Sequence, residues 1–147
     1  MNALAENRKA FFNYDIIETL EAGIELKGFE VKAVKAGKAS IVGAFATMKG
    51  GEIFLTNADI PPYQPNNTPS GYEPTRPRRL LLKKSEVSYL TGKLQAERLT
   101  LVPIKLYTKG GRVKVALALA RGKRKYEKRE KIKKRETEKA IRRTLKK

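Results

Sequence analysis

A mainly β fold is predicted: an antiparallel, oligonucleotide-binding-type barrel of about six strands with three short helices, followed by a basic C-terminal tail. Three observations lead there. Two pairs of apolar runs flank Gly-Gly turns at 50–51 and 110–111, the mark of β-hairpins. A short helix-period segment follows the first apolar strand, as in barrels with helices packed on them. The charge is also divided unevenly. The chain carries +18 over 147 residues, yet from Arg121 onward 15 Lys or Arg meet only 4 Glu in 27 residues, a net of +11. The expected organisation is a barrel over 1–122 and a tail over 123–147.

The elements follow in chain order. Residues 11–26, FFNYDIIETLEAGIEL, are rich in aromatic and β-branched residues, and Phe12, Tyr14, Ile16 and Thr19 suggest a strand. Leu26, Phe29, Val31 and Val34 recur at helical spacing before Gly37, which predicts a short amphipathic helix over 26–36. SIVGAFATM (40–48) and EIFLTNADI (52–60) form the first hairpin. Residues 61–77 are proline-rich and form a long loop, since proline cannot supply ladder N–H groups. RRLLL (78–82) is a short strand on which Leu80 and Leu82 point one way and Leu81 the other. SEVSYLTGKLQAE from Ser85 is helical with Ser85 as N-cap, and Gly92 is expected to break it. Residues 99–122 give the clearest hairpin. Leu99, Leu101, Ile104 and Leu106 stand on one strand, Val113, Val115, Leu117 and Leu119 on the other, and Pro103 marks an edge or a bulge. A ferredoxin-like α+β sandwich fits this order less well.

The tail from Tyr126 has neither Gly nor Pro, and Glu127–Lys131, Glu130–Lys134 and Glu138–Arg142 are i,i+4 pairs of the helix-favouring order. Its apolar residues, Ile132, Ala140, Ile141 and Leu145, are too few to hold a helix against a core. The tail is expected to be disordered free and helical on a polyanion.

Composition excludes several function classes. The chain has no His and no Cys, and its only Asp residues are Asp15 and Asp59. Triad and zinc hydrolases are thereby disfavoured, and no cofactor or metal is expected. The glycine pairs lack phosphate-loop spacing, so an enzyme is not expected. No secretory leader is visible, and the longest apolar run, VALALA at 115–120, is far short of a membrane span, so a cytoplasmic setting is expected. With a pI near 10.2, the expected partner is a polyanion. Nucleic acid comes before an anionic membrane, because the tail lacks a broad apolar face.

Several segments resemble one family. ENRKAFFNYDI (6–16), LEAGIELKGFEVKAVKAGKASI (20–41), PTRPRRLLL (74–82), LTLVPIKLY (99–107) and KVALALARGKRKYEKREKIKKRE (114–136) are collinear with the bacterial SsrA-binding protein (small protein B) family. The resemblance implies a barrel that grips the tRNA-like domain of transfer-messenger RNA and delivers it to stalled ribosomes for trans-translation. It implies a monomer in a 1:1 RNA complex, with elongation factor Tu an indirect partner on the charged RNA. It also implies that the tail enters the empty mRNA channel and decoding centre of the small ribosomal subunit. Many members carry Asp at the position of Glu127, and the residues after about Arg135 match least well.

The candidate RNA-contact residues follow from chemistry and resemblance together. Asn7, Arg8 and Lys9 can meet sugars, base edges and phosphates. Glu21, unusual in a basic protein, can accept hydrogen bonds from base amino groups or 2′-hydroxyls. The helix over 26–36 offers Lys27, Lys32 and Lys35 around Glu30, with Lys38 just after. Arg76, Arg78 and Arg79 leave the proline-rich loop with the geometry for bidentate phosphate contact. The resemblance places Leu81 at the RNA surface. In the tail, Lys123, Arg124, Lys125, Lys131, Lys133 and Lys134 are implied ribosome contacts. Tyr126, a lone aromatic among cations, suits base stacking, and the resemblance sets it with Glu127, Lys128 and Arg129 near the decoding centre.

Overall fold

The structure is a computed structural model that describes residues 3–122. It contains seven strands and three α-helices, against about six strands expected. They run β1 (Ala3–Glu6), α1 (Lys9–Asn13), β2 (Tyr14–Ile24), α2 (Gly28–Lys35), β3 (Phe45–Lys49), β4 (Glu52–Thr56), β5 (Arg78–Leu81), α3 (Lys84–Glu97), β6 (Thr100–Lys109) and β7 (Arg112–Gly122). All pairings are antiparallel, in the order β1-β6-β7-β2-β5-β4-β3. The sheet curls until β3 contacts β6. Ile53 and Leu55 from one end of the sheet thus share an interior with Leu101, Leu106, Val115 and Leu117 from the other. Both Gly-Gly turns carry positive φ at each glycine, which matches the twist of the strands they join.

Leu101 and Leu106 both face the core although they are five positions apart, an odd offset that a regular strand forbids. A bulge between Pro103 and Lys105 resets the register. It is the irregularity that Pro103 led us to expect. Ile104 leaves the interior face and joins Ala10, Tyr14, Ile16, Val102, Ala118 and Ala120 in a second cluster, on which α1 sits.

Three expectations are corrected. Phe12 lies in the short helix α1, not in a strand, and the strand begins at Tyr14. Ser85 is inside α3. The cap is at Lys83, whose backbone N–H donates to Glu86 Oε1 at 2.9 Å. Gly92 does not interrupt α3, because Val87, Leu90 and Leu94 form one apolar face against the core and outweigh the ~1 kcal/mol cost of a helical glycine.

Candidate nucleic-acid interface

The outward faces of four adjacent strands form a register. Tyr107 of β6 lies opposite Lys114 of β7, Lys114 opposite Gly23 of β2, and Gly23 opposite Leu81 of β5. The next row runs from Lys105 through Ala116 to Glu21. Alternation turns Leu80 into the core and leaves Leu81 outside at 45% exposure. Gly23 makes room for it: a Cβ there would stand 3.1 Å from Leu81 Cβ. Beside Leu81 runs an open groove of about 730 Å³, walled in part by Glu21, Lys83, Lys84, Val87 and Lys114.

Glu21 is exposed but not free. The buried Tyr107 hydroxyl donates to its Oε2, and Lys109 Nζ stands 3.5 Å from Oε1. The Tyr107 hydrogen bond first, then the charges of Lys109 and Lys114, hold the carboxyl below its ordinary range. Burial and the Glu21 bond raise the phenol to about 12. The Lys105 ammonium lies 5.5 Å from the Tyr107 ring centre.

Helix α2 brings further cations. Lys27, Lys32, Lys35 and Lys38 are exposed. Lys35 Nζ reaches the Gly111 carbonyl at 3.2 Å, tying the helix to the β6–β7 turn. Lys38 lies over the Tyr63 ring at 5.2 Å. Leu26 and Val31 share a second groove with Gly23, Leu81, Arg112 and Lys114, so α2 borders the same face.

Two expected RNA contacts are inside the protein. Glu30 and Arg78 are both fully buried. Arg78 Nε donates to Glu30 Oε2 at 2.7 Å, and its other nitrogens donate to the carbonyls of Ala58, Pro74 and Arg76 and to the Tyr72 hydroxyl. Arg76 adds Nε to Glu30 Oε2 at 3.2 Å and a second bond to Oε1. The Lys27 backbone N–H donates to Oε1 at 2.8 Å. Burial alone would raise the Glu30 carboxyl, but these donors overcome it and bring it to about 2. Direct RNA contact by Glu30 and Arg78 is therefore corrected. They fasten the proline-rich loop and β5 to the start of α2, and their surfaces are spent on each other. Arg76 is partly exposed, whereas Arg79 lies on the surface between Glu25 at 3.0 Å and Glu52 at 3.1 Å.

Asn7 is also largely buried. It is 6% exposed, and Nδ2 donates to the Pro103 carbonyl at 3.2 Å while its backbone N–H donates to Ile104 O at 2.7 Å. It secures the bulge where proline leaves the ladder incomplete. Its Oδ1 is buried with no hydrogen-bond partner among the described residues. Arg8 and Lys9 are exposed, and Arg8 pairs with Glu6 at 3.2 Å.

Sequence reasoning missed Tyr107, Lys109 and Lys114. The alternation in RVKVALALA already set Lys114 on the non-core face, but nothing local showed that Tyr107 lies two strands from Glu21. The expected ribosome contacts Lys123, Arg124, Lys125, Tyr126, Glu127, Lys128, Arg129, Lys131, Lys133 and Lys134 lie outside the described residues. Chemically, the face joins phosphate-binding cations, one ionised acceptor and one exposed leucine. Among the described residues no group of acidic side chains could hold a metal ion.

Comparison with known proteins gives a consistent answer. The family model described as "SmpB protein" matches residues 4–147. The "SsrA-binding protein" of Thermosipho melanesiensis is 49% identical over 147 residues, covering 99% of each chain. That of Chloroflexus aggregans is 48% identical over 143 residues, covering 97% of this chain and 90% of its own. A solved structure described as "tmRNA-SmpB: a journey to the center of the bacterial ribosome" superposes with a TM-score of 0.66 at 48% identity, covering 82% of this chain and 84% of that one. The match takes in the outward face of β2, β5, β6 and β7 and continues through the basic tail, and the chain belongs to the SmpB family.

Proposed function

We propose that this protein is an RNA-binding adaptor, not an enzyme. It binds the tRNA-like domain of transfer-messenger RNA, delivers it to stalled ribosomes and so enables trans-translation. The observation that carries this reading is the mixed face of Glu21, Leu81 and Lys114. Phosphate attraction needs only cations, whereas an ionised acceptor beside an exposed leucine suits base edges, 2′-hydroxyls and an unstacked base. The names of the relatives and of the solved neighbour support the same partner. The contact set is Arg8, Lys9, Glu21, Lys27, Lys32, Lys35, Lys38, Arg76 and Leu81, with Lys109 and Lys114 added. The work is divided: residues 1–122 hold the RNA, and 123–147 meet the small ribosomal subunit at the decoding centre and in the empty mRNA channel. The protein acts in the cytoplasm as a monomer on one RNA.

A ribosomal structural protein would share the charge but have no separate RNA partner. Sequencing the RNA that co-purifies with the protein separates the two: one abundant structured RNA supports the adaptor, and ribosomal RNA alone overturns it. Removing residues 126–147 should leave affinity for the isolated tRNA-like domain nearly intact and abolish tagging on stalled ribosomes. A hundredfold loss of RNA affinity would refute the division of labour.

A further inference from the structure

We propose that Tyr107 is a positioning residue for RNA binding: its phenol pins one oxygen of the Glu21 carboxylate and keeps the other on the RNA-facing surface beside Lys109. The inference rests on the reading of Glu21 as an RNA contact. A lone carboxylate among cations has an easy alternative. Lys109 and Lys114 flank Glu21, with Lys109 already 3.5 Å from Oε1, and an unpinned Glu would close onto them with both oxygens, removing its free acceptor and a phosphate-binding charge together. Such an exposed pair is weak, so a single competing bond decides where the carboxylate goes.

Tyr107 supplies that bond. It is 4% exposed, its ring fixed by the sheet, so its hydroxyl presents a donor at low entropic cost. A hydrogen bond to an ionised acceptor is among the stronger kinds. The reach is possible because of what lies between. Tyr107 and Glu21 belong to strands separated by β7, and the β7 residues between them include the small Ala116, paired with Glu21. In the Tyr107 row, β2 contributes Gly23, which has no side chain to obstruct the phenol. With Oε2 taken by Tyr107, Oε1 is the oxygen turned to Lys109 and solvent, free to accept from a base amino group or 2′-hydroxyl once RNA phosphate engages that lysine.

Tyr107→Phe removes only the hydroxyl. We expect it to fold cooperatively and to bind a tRNA-like RNA fragment roughly three- to tenfold more weakly at fixed salt. The slope of affinity against salt should fall by no more than about one, the single lysine charge that the released carboxylate neutralises. In a Glu21→Ala background the same change should have no further effect, whereas a merely structural Tyr107 would weaken both backgrounds equally. Wild-type affinity in Tyr107→Phe, or additivity in the double variant, overturns the proposal while leaving Glu21 as a contact. Wild-type affinity in Glu21→Ala overturns the reading of Glu21 itself and the proposal with it. Independently of any Tyr107 variant, the Tyr107 hydroxyl proton of the wild-type protein should give a slowly exchanging NMR resonance that Glu21→Ala abolishes. Its absence from the wild type also overturns the proposal.

Discussion

Glu30 and Arg78 meet at 2.7 Å with no exposed side-chain surface on either partner. The pair joins the first turn of α2 to the first residue of β5, and Arg76 and Tyr72 extend it into the proline-rich loop. The network is well satisfied: Arg78 uses three nitrogens on five acceptors. Breaking it from one side leaves a buried charge uncompensated.

Glu30→Gln should therefore destabilise the barrel by about 3–5 kcal/mol, measured by denaturant unfolding. The pH dependence has a definite sign. Glu30 titrates near 4.5 ordinarily and at about 2 in the folded protein, so the folded state favours its ionised form. The stability this contributes is complete above about pH 4.5 and is lost as pH falls toward about 2. Glu30→Gln should flatten that acid limb. An unchanged limb in the variant would mean that other carboxylates cause acid unfolding.

Arg98 ends α3 in the left-handed region, at φ 52°, where a side chain strains the backbone and glycine does not. Arg98→Gly should stabilise the protein by about 0.5–1 kcal/mol and raise Tm by a few degrees. Arg98 is exposed, so little packing is lost. A lower Tm would show that the arginine side chain contributes more than the backbone strain costs.

Much of this was legible in the sequence. VKVALALA alternates strictly, so the strand, its core face and the outward Lys114 all followed from period two. Leu81 followed from its place between Leu80 and Leu82. What was hidden depended on partners distant in sequence. β1 is four residues, ALAE, with no alternating signal, and pairing with β6 specifies it. The adjacent aromatics Phe11 and Phe12 read as strand, but the outer face of β6 and β7 offers a surface on which a short helix can pack. Glu30 and Arg78 read as surface charges because charged side chains are rarely buried unless paired, and their partners lie some 48 residues apart. The Arg-rich, Tyr-bearing loop was the available signal that such a pair needed.

Gly23→Ala separates shape from stability on the RNA face. The added methyl would meet Leu81 Cβ at 3.1 Å, an atom fixed to β5, so the strand must give by a few tenths of an ångström. Alanine is better than glycine inside a strand by roughly 0.5–1 kcal/mol. The strand shift offsets this gain, so Tm should change little, while affinity for the tRNA-like RNA falls several-fold because Leu81 is displaced. Loss of stability with affinity intact would reverse this assignment and make Gly23 a core requirement.

The tail's composition bears on why it is written in helix-forming residues when charge alone would attract RNA. On the proposal that it works as a helix in the mRNA channel, RNA phosphates offset the self-repulsion of its +10 charge, and the Glu-before-Lys or Glu-before-Arg pairs add only about 1 kcal/mol together. Lys134→Pro would break such a helix at a cost of ~3 kcal/mol while lowering the charge by a single unit. Lys134→Gln lowers the charge equally and keeps helix propensity. Tagging of stalled ribosomes should be abolished by proline and nearly unchanged by glutamine, with binding to the isolated RNA equal in both. If the two variants tag alike, the helix contributes nothing, and the tail acts only as a cationic strand drawn into the channel by charge.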